Sequence, residues 1–259
     1  MPARDLALLM DAALVAGKIA LRHWRNAPRV WEKDDGQGPV SEADIEVNET
    51  LQTMLRQARP AYGWLSEETE DSPDRLHTQS QFVIDPIDGT RTFLQGDTAF
   101  SHSLSVVHNG QVAAAVVYLP AQDMLYAATA TGPATLNGTE IHVRAPHSPA
   151  HILTNKAALN PDHWPGGLPD VQRHFRASMA WRLCLVAEGA FDGLIALRPS
   201  WEWDIAAGCL IAQRAGAQIT DRTGHPLRFN MADPRADGVI VAEPDLQANL
   251  IHRMTATKP

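Results

Sequence analysis

Two aspartates three residues apart are the side chains best suited to chemistry in this 259-residue chain. They lie in Phe82-Val83-Ile84-Asp85-Pro86-Ile87-Asp88-Gly89-Thr90, where the leading apolar residues predict a short buried strand. Carboxylates at the end of a buried strand are costly unless a cation or a base pairs with them. No Lys or Arg lies between Asp85 and Asp88, so the pattern indicates a hard, oxygen-binding cation such as Mg²⁺ or Mn²⁺.

The two residues that follow these acids, Gly89 and Thr90, suit a phosphate group. Gly89 allows the backbone to approach a ligand closely. The amides of Gly89 and Thr90 stand at a predicted helix start, where free N–H groups favour anions. A metal ion acting on a phosphate is therefore the first hypothesis. An Asx-Pro turn with two capping aspartates is the structural alternative.

Three further acids occupy comparable positions. Glu67 ends a predicted strand, Asp204 begins a predicted helix of small residues, and Asp44 closes Ser41-Glu42-Ala43-Asp44, which has the form of a capping box. The structural alternatives are helix capping by Asp44, an N-cap role for Asp204, and solvation of Glu67 like that predicted for Glu68. These alternatives do not explain why acids repeatedly stand at the inner end of an apolar strand or beside tryptophans.

The predicted secondary-structure pattern of the elements that must position these acids changes near residue 150. The first half predicts two helices and a β-meander with hairpins at Asn109-Gly110 and Asn137-Gly138. The second half alternates helices and strands, which favours an α/β layer. We therefore expect subdomains at 1–147 and 148–259. Expected helices are 5–24, 41–55, 181–189 and 204–216; expected strands are 64–65, 82–84, 103–108, 111–119, 124–129, 141–143, 151–154, 191–197, 217–220 and 238–242.

Two polar segments are predicted to lie outside this framework. Residues 26–38 carry Pro28, Gly36 and Gly38 and are typical of a mobile loop, in which Lys33 is expected to be solvated unless the loop closes over the acids. Residues 71–81 are charged and predict a surface excursion. A Pro- and Gly-rich loop is expected at 161–169.

Composition narrows the function classes. A hydrophobic content of 44% and a charged content of 20% are typical of a soluble globular protein, and a net charge of −8 argues against a general binder of nucleic-acid polymers. Cys184 and Cys209 lie in apolar segments, which predicts buried thiols in a reducing compartment. Asp11 and Lys18 within the first helix argue against a signal peptide, and no apolar run reaches the roughly 18 residues of a membrane span. A cytoplasmic location without a membrane partner is the expectation.

The sequence does not indicate a catalytic nucleophile or a metal site built from histidines. Neither cysteine has the surroundings of an activated nucleophile, and no Ser-His-Asp order stands out. The eleven histidines lack metal-ligand spacing. His102 and His108 follow a strand pattern, and we interpret both as structural or surface residues.

Together these motifs resemble the signatures of the inositol monophosphatase superfamily. Order and spacing agree from about residue 5 to residue 245, and the combination is far more specific than any one motif. The matching segments are Pro39-Val40-Ser41-Glu42-Ala43-Asp44, Ser66-Glu67-Glu68, Asp85-Pro86-Ile87-Asp88-Gly89-Thr90, Cys184-Leu185-Val186-Ala187-Glu188-Gly189 and Trp203-Asp204-Ile205-Ala206-Ala207-Gly208. The resemblance implies an α/β (α+β) fold, a layered αβαβα sandwich with an antiparallel N-terminal sheet and a mixed C-terminal α/β sheet. The family contains both monomers and homodimers.

The resemblance also implies an activity, namely hydrolysis of a small phosphorylated metabolite by a Mg²⁺-dependent phosphomonoesterase. Two Mg²⁺ ions are implied, with a weaker third near Glu67, substitution by Mn²⁺, and inhibition by Li⁺. The implied ligands are Glu67, Asp85 and the Ile87 carbonyl for the first ion, and Asp85, Asp88 and Asp204 for the second. Thr90 with Asp44 would orient and deprotonate the attacking water, and the amides of Gly89 and Thr90 would bind phosphate oxygens.

The residues expected to contact the rest of the substrate differ from those of inositol monophosphatases. Leu197 and Arg198 stand where a glutamate is usual, and Arg91 and Arg182 resemble basic residues of bacterial 3′(2′),5′-bisphosphate nucleotidases. Arginine suits a second phosphate because its guanidinium pairs with phosphate bidentately. Adenosine 3′,5′-bisphosphate, hydrolysed to AMP, is therefore the preferred substrate, with Ser178 also expected in the pocket.

Other interpretations of this pocket stay open. Arg91 or Arg182 could be an ordinary surface arginine of a helix. Inositol 1-phosphate or another sugar or polyol monophosphate is the main alternative substrate, and histidinol phosphate is the third. A regulatory binding protein that retains the fold is a further alternative, against which the intact ligand set argues.

Overall fold

The structure, a computed structural model, describes residues 2–33 and 38–256. Within these residues the helices are α1 (Pro2–His23), α2 (Glu42–Ala58), α3 (Thr90–Leu94), α4 (Met179–Ala187), α5 (Glu202–Arg214) and α6 (Pro244–Thr255). The strands are β1 (Val30–Glu32), β2 (Pro39–Ser41), β3 (Gly63–Ser66), β4 (Ser80–Asp88), β5 (Ser101–His108), β6 (Gln111–Leu119), β7 (Met124–Thr129), β8 (Thr135–Leu136), β9 (Thr139–Glu140), β10 (Ala150–Thr154), β11 (Val171–His174), β12 (Gly193–Ala196), β13 (Ser200–Trp201), β14 (Gln218–Thr220), β15 (Arg235–Ala236) and β16 (Val239–Ala242).

The first sheet runs from β3 to β9 in chain order. Its neighbours are antiparallel except β3 and β4, which are parallel. The prediction of an antiparallel N-terminal sheet therefore needs this one correction. Parallel pairing has a consequence for the site: the carboxyl ends of β3 and β4 lie at the same end of the sheet, so Glu67 and Asp85 follow strands that finish side by side.

Alternating apolar residues place helices on both faces of this sheet. Leu51 of α2 and Leu9 of α1 pack with Phe82 and Leu104 on one face. Side chains that point the opposite way, such as Val83, pack against α4 and α5. The same layer of α4 and α5 also contacts the second sheet.

The second sheet has the order β11-β10-β12-β16-β14 and is mixed. Pairs β10–β11 and β10–β12 are parallel, whereas β12–β16 and β14–β16 are antiparallel. Leu250 of α6 packs with Ile152, Ile195 and Ile240 on the outer face of this sheet. The layers are thus α1 and α2, first sheet, α4 and α5, second sheet, and α6, which confirms the αβαβα sandwich. The division into subdomains at residue 147 stays a prediction. Helices α4 and α5, which follow residue 147 in the chain, pack against both sheets.

Several local predictions were wrong. The segment 26–38 contains β1, which pairs with β2, although residues 34–37 lie outside the described residues. A strand was expected at 141–143, but the second hairpin closes earlier, at β9. Residues 71–81 are not wholly superficial: Arg75 is 3% exposed and binds Asp71 and the Met231 carbonyl.

The sequence interpretation missed α6 entirely. Its start carries recognisable signals, since Pro244 occupies the first turn and the Glu243 carboxylate accepts from the Asp245 and Leu246 amides. Among the described helices, none has the length and apolar character that crossing a membrane demands.

A buried carboxylate, Asp192, fastens the segment before β10 to the start of β12. Its Oδ2 accepts from the backbone amides of His147 and His151 at 3.0 and 2.7 Å, and the His147 ring lies 2.9 Å away. Burial alone would raise the pKa of Asp192, but the His151 and His147 hydrogen bonds outweigh it and the net pKa is lowered. The ionised form therefore stabilises the fold at neutral pH.

We expect Asp192→Asn to lower the free energy of unfolding by about 2 kcal/mol at about pH 7, the scale of hydrogen bonds to a charged group. A lowered carboxyl pKa gives stability that is present above the ordinary value of about 3.9 and is lost as pH falls through the folded-state value. The difference between wild type and variant should therefore shrink below about pH 4. Urea unfolding across this pH range measures it; a pH-independent difference would contradict the assignment.

Candidate functional site

The end of β4 carries the central acids. Asp85 is 1% exposed and Asp88 is 6% exposed. Pairing with β5 is regular up to Asp85 opposite Ser103, then shifts before Asp88 pairs with Ser101. This irregularity inserts extra chain between the two aspartates and turns their side chains toward one place, as bulges next to active sites often do.

Asp204 reaches the same place from the first turn of α5. Trp201 is the N-cap residue of this helix, so the alternative that Asp204 is an N-cap was wrong. The rings of Trp201 and Trp203 stack at 4.5 Å and form a wall beside Asp204. One carboxylate oxygen from each of Asp85, Asp88 and Asp204 lies within 4.8 Å of the others.

These three acids have the character of a cation site. Burial raises the pKa of Asp85 well above its usual range, and the neighbouring charges of Glu67, Asp88 and Asp204 raise it further. Asp85 Oδ1 is buried without a hydrogen-bond partner among the described residues. Closely spaced acids that repel one another, with one buried oxygen left without a donor, are compensated by a cation, and an all-oxygen donor set selects a hard one. The residues therefore fit a divalent metal.

Asp88 is held from behind by the start of α4. Ser178, the N-cap residue of α4, donates to Asp88 Oδ2 at 2.6 Å, and the Ala180 amide donates to the same oxygen at 2.7 Å. Ser178 is fully buried and accepts from the Trp181 amide. The expectation that Ser178 binds substrate is thus corrected: its hydroxyl orients Asp88 and does not line the cleft.

A second group of polar atoms surrounds Thr90. Thr90 Oγ1 lies 3.1 Å from Asp44 Oδ1 and 3.1 Å from the Ile87 carbonyl. The other oxygen of Asp44 accepts from the Ser41 amide and hydroxyl, which fixes the carboxylate. Burial raises the pKa of Asp44, and the Ser41 hydrogen bonds oppose this. Asp44 therefore has two roles: one oxygen caps the start of α2 through Ser41, and the other accepts from Thr90 in the site.

Gly89 makes the turn between Asp88 and Thr90 possible. Its φ of 100° lies in the left-handed region, and a Cβ there would stand 3.2 Å from the Ala99 carbonyl oxygen. The backbone can therefore bend sharply before α3.

Glu67 lies at the rim of the site in an ion pair. Lys33 Nζ lies 2.6 Å from Glu67 Oε1 and 2.6 Å from Glu68 Oε1. The side chains of Lys33 and Glu68 are 13% and 6% exposed, so the predictions of a solvated Lys33 and a solvated Glu68 were both wrong. Burial raises the pKa of Glu68 to about 7, with a further contribution from Glu67. In this arrangement the Lys33 ammonium group is already paired with the Glu67 carboxylate.

A cleft of about 800 Å³ opens over the acids, within the usual range of ligand pockets. Its lining includes Arg91, Arg182 and Arg198. Arg182 is 7% exposed, so the alternative of a surface helix arginine was wrong for it; Arg91 and Arg198 are exposed. The Arg182 guanidinium donates to the Ser178 carbonyl and lies 5.2 Å from the centre of the Phe175 ring. The cleft thus brings three arginines together with the acids; burial raises the pKa of Asp204, and the nearby charges of Arg182 and Arg198 oppose that rise.

Comparison with known proteins identifies the family. The model of the inositol monophosphatase family matches residues 2–257. The chain belongs to the inositol monophosphatase family. It is accordingly a metal-dependent hydrolase of phosphoric monoesters, and the acidic cluster of Asp85, Asp88 and Asp204 is where such a member of the family could hold metal.

Individual relatives carry different names. The chain is 33% identical to an inositol-1-monophosphatase of Rhizobium meliloti over 239 residues, covering 85% of this chain and 86% of the relative. It is 31% identical to the 3′(2′),5′-bisphosphate nucleotidase CysQ of Escherichia coli over 200 residues, covering 74% and 79%. The structure of the extragenic suppressor protein SuhB from Bartonella henselae superposes with a TM-score of 0.80 at 25% identity, covering 97% and 98%. The relatives therefore support the family without selecting a substrate.

The structure adds residues that sequence reasoning did not single out. Phe175 and Asn155 line the cleft of this family member, and the Trp201 ring forms part of its wall. Phe175 is 52% exposed, a property that only the folded structure gives. Asn155 offered no sequence signal either, because its position depends on how the second sheet meets the first.

Proposed function

We propose that this protein binds two Mg²⁺ ions through Asp85, Asp88, Asp204, Glu67 and the Ile87 carbonyl, and that Mn²⁺ can replace them. The converging carboxylate oxygens of Asp85, Asp88 and Asp204 support this proposal. Binding at Glu67 would replace its ion pair with Lys33. Bound divalent ions supply charge that offsets the phosphate dianion and lowers the pKa of water. A third, weaker ion near Glu67 and inhibition by Li⁺ stay predictions.

The chain's own groups are proposed to position the reactants. Thr90 has a single hydroxyl proton; when Asp44 accepts it, the Thr90 oxygen is left as an acceptor that can orient a water for in-line attack on phosphorus. Asp44 would take up the proton through Thr90. The backbone N–H groups of Gly89 and Thr90 are proposed to bind phosphate oxygens, since the left-handed Gly89 leaves its backbone accessible. No covalent enzyme intermediate is needed.

For the substrate we propose a 3′(2′),5′-bisphosphate nucleotide, such as adenosine 3′,5′-bisphosphate hydrolysed to AMP. The observation that carries this choice is that Arg182, Arg198 and Arg91 line the same cleft as the acids. Two nearby arginines suit a second phosphate. The exposed Phe175 and the Trp201 ring add aromatic surface on which a base could stack.

An Arg182→Met variant tests the second-phosphate assignment. Methionine keeps an unbranched side chain against Phe175 but removes the charge. We expect kcat/KM for adenosine 3′,5′-bisphosphate to fall about 10- to 100-fold, the equivalent of about 1.5–3 kcal/mol for lost charged hydrogen bonds. For inositol 1-phosphate the change should stay below about threefold. Arg214→Met is the matched control, because Arg214 also binds a backbone carbonyl, that of Gly132, but lies outside the cleft. Equal losses for both substrates would refute the assignment.

Inositol 1-phosphate, or a related sugar or polyol monophosphate, is the second candidate. It is favoured by the match to the Rhizobium meliloti inositol-1-monophosphatase over most of both chains. Phosphate release from a panel of phosphomonoesters, with Mg²⁺ or Mn²⁺ and with EDTA, separates the candidates. Activity that persists in EDTA, or no hydrolysis of any ester with either metal, would overturn the proposed function.

The cellular setting is a separate proposal. We propose a cytoplasmic enzyme that acts on a small metabolite, as a monomer or a homodimer, in two subdomains of residues 1–147 and 148–259. The acidic net charge of −8 supports a partner other than a nucleic-acid polymer.

A further inference from the structure

Strand β5 contains an unusual run of polar residues for a fully buried strand. Ser101, His102, Ser103 and Ser105 are each 0% exposed. Most buried polar groups in proteins are hydrogen-bonded, because burying them unpaired is costly. Their partners therefore indicate what the strand is for.

Ser103 binds the segment that carries Asp204. Its hydroxyl donates to the Trp203 carbonyl at 2.8 Å, one residue before Asp204 and a hundred residues away in the chain. Ser103 is also the partner of Asp85 across the β4–β5 ladder. One residue thus connects two acids that belong to different layers of the fold.

Ser101 binds the support of Asp88. The Ser178 hydroxyl gives its only proton to the Asp88 carboxylate, which can only accept. The 3.1 Å contact between Ser101 Oγ and Ser178 Oγ must therefore have Ser101 as the donor. Ser178 is in this way fixed from two sides, by Ser101 and by the Trp181 amide.

His102 reaches the same segment from the opposite face of the sheet. Its Nδ1 is hydrogen-bonded to the Pro86 carbonyl, which can only accept, so Nδ1 carries the proton. This bond holds the backbone between Asp85 and Asp88, where the ladder with β5 is irregular. The His102 ring lies beside Tyr118, and its buried Nε2 has no hydrogen-bond partner among the described residues.

We propose that Ser101, His102 and Ser103 are positioning residues for the metal site, and this inference rests on the metal binding proposed above. The carboxylates of Asp85, Asp88 and Asp204 repel one another, so the chain segments that carry them tend to separate unless other bonds hold them. β5 supplies those bonds from both faces of the sheet. The acids are then already close together before a cation arrives, which lowers the cost of ordering them on binding.

The experiment compares Ser103→Ala with Ser105→Ala in the full-length protein. Ser105 is the matched control because its buried hydroxyl also donates to a backbone carbonyl, that of Val83, at 3.1 Å in the regular part of β4. Calorimetric titration with Mg²⁺ gives the dissociation constant, and thermal unfolding in EDTA gives the stability of the metal-free protein. We expect Ser103→Ala to raise the Mg²⁺ dissociation constant about 10- to 100-fold, the range found when supporting partners of metal ligands are removed.

A second pair of variants examines His102. Asn at this position keeps an N–H donor for the Pro86 carbonyl, whereas Leu removes it. We expect His102→Leu to weaken Mg²⁺ binding by a similar factor and His102→Asn to recover most of the affinity, while Ser105→Ala stays within about threefold of wild type. If Ser103→Ala and Ser105→Ala lose equal thermal stability and bind Mg²⁺ as wild type does, these bonds are merely structural and the inference fails. A wild-type protein that binds no Mg²⁺ would instead overturn the proposed metal site, and the inference with it.

Discussion

Asp85→Asn is expected to abolish phosphatase turnover while leaving the metal-free protein at least as stable as the wild type. Asparagine has the same shape but no charge, so it removes repulsion from the buried acid cluster. Burial and the charges of Glu67, Asp88 and Asp204 raise the pKa of Asp85, which shows that its ionised form is unfavourable without a cation. Function and metal-free stability should therefore move in opposite directions.

The expected loss in kcat is at least about 10²- to 10³-fold, the scale of removing one preorganised electrostatic contact from a transition state. We expect Mg²⁺ to raise the melting temperature of the wild type and not that of Asp85→Asn, because a ligand stabilises only the form that binds it. Steady-state kinetics and thermal unfolding with Mg²⁺ and with EDTA measure both effects. Asp192→Asn is the control: it removes another buried carboxylate, should lower stability, and should leave kcat unchanged at temperatures where it is folded. Near-wild-type turnover of Asp85→Asn would remove Asp85 from the proposed ligand set.

Thr90→Val is expected to cause the second large loss of turnover. Valine has nearly the same shape as threonine, but it cannot relay a proton between a water and Asp44. We expect kcat to fall about 10²- to 10⁴-fold, the usual contribution of positioned acid–base groups. The Mg²⁺ dissociation constant should change by less than about threefold, since the Thr90 side chain is not among the proposed ligands. Kinetics together with calorimetric Mg²⁺ titration separate the two effects.

Thr90→Ser keeps the hydroxyl and should retain most of the wild-type rate. Asp44→Asn should resemble Thr90→Val in kcat, because both remove the same relay. If Thr90→Val hydrolysed its best substrate at the wild-type rate, another group would have to orient the water. A loss of Mg²⁺ binding in Thr90→Val would instead point to a disturbed metal site.

The local parts of the site could be predicted from the sequence. The apolar run before Asp85 gives a buried strand, and Gly89 gives the turn, because both depend on neighbouring residues alone. The bond between Asp44 and Ser41 follows from a spacing of three residues. The hairpin at Asn109-Gly110 is of the same kind, with both residues at positive φ.

Ser178 and Lys33 show where this local reasoning fails. A serine before a helix can cap it, face a substrate, or support another side chain, and these uses have the same local sequence. The fold decides among them by placing Ser178 under Asp88, ninety residues away in the chain. Lys33 looked solvated because its neighbours are polar, yet β1 and β2 bring it to Glu67 and Glu68.

By itself, the sequence determined which residue types could bind a cation and a phosphate, and in which order the elements follow. The family resemblance implied that Asp204 joins Asp85 and Asp88, and the tertiary structure shows how; that Arg182 is buried in the same cleft and that β5 holds these segments together emerged from the fold alone. The physical reason is that burial and long-range hydrogen bonding depend on segments a hundred residues apart coming into contact. Such contacts leave no periodic or local pattern in the chain.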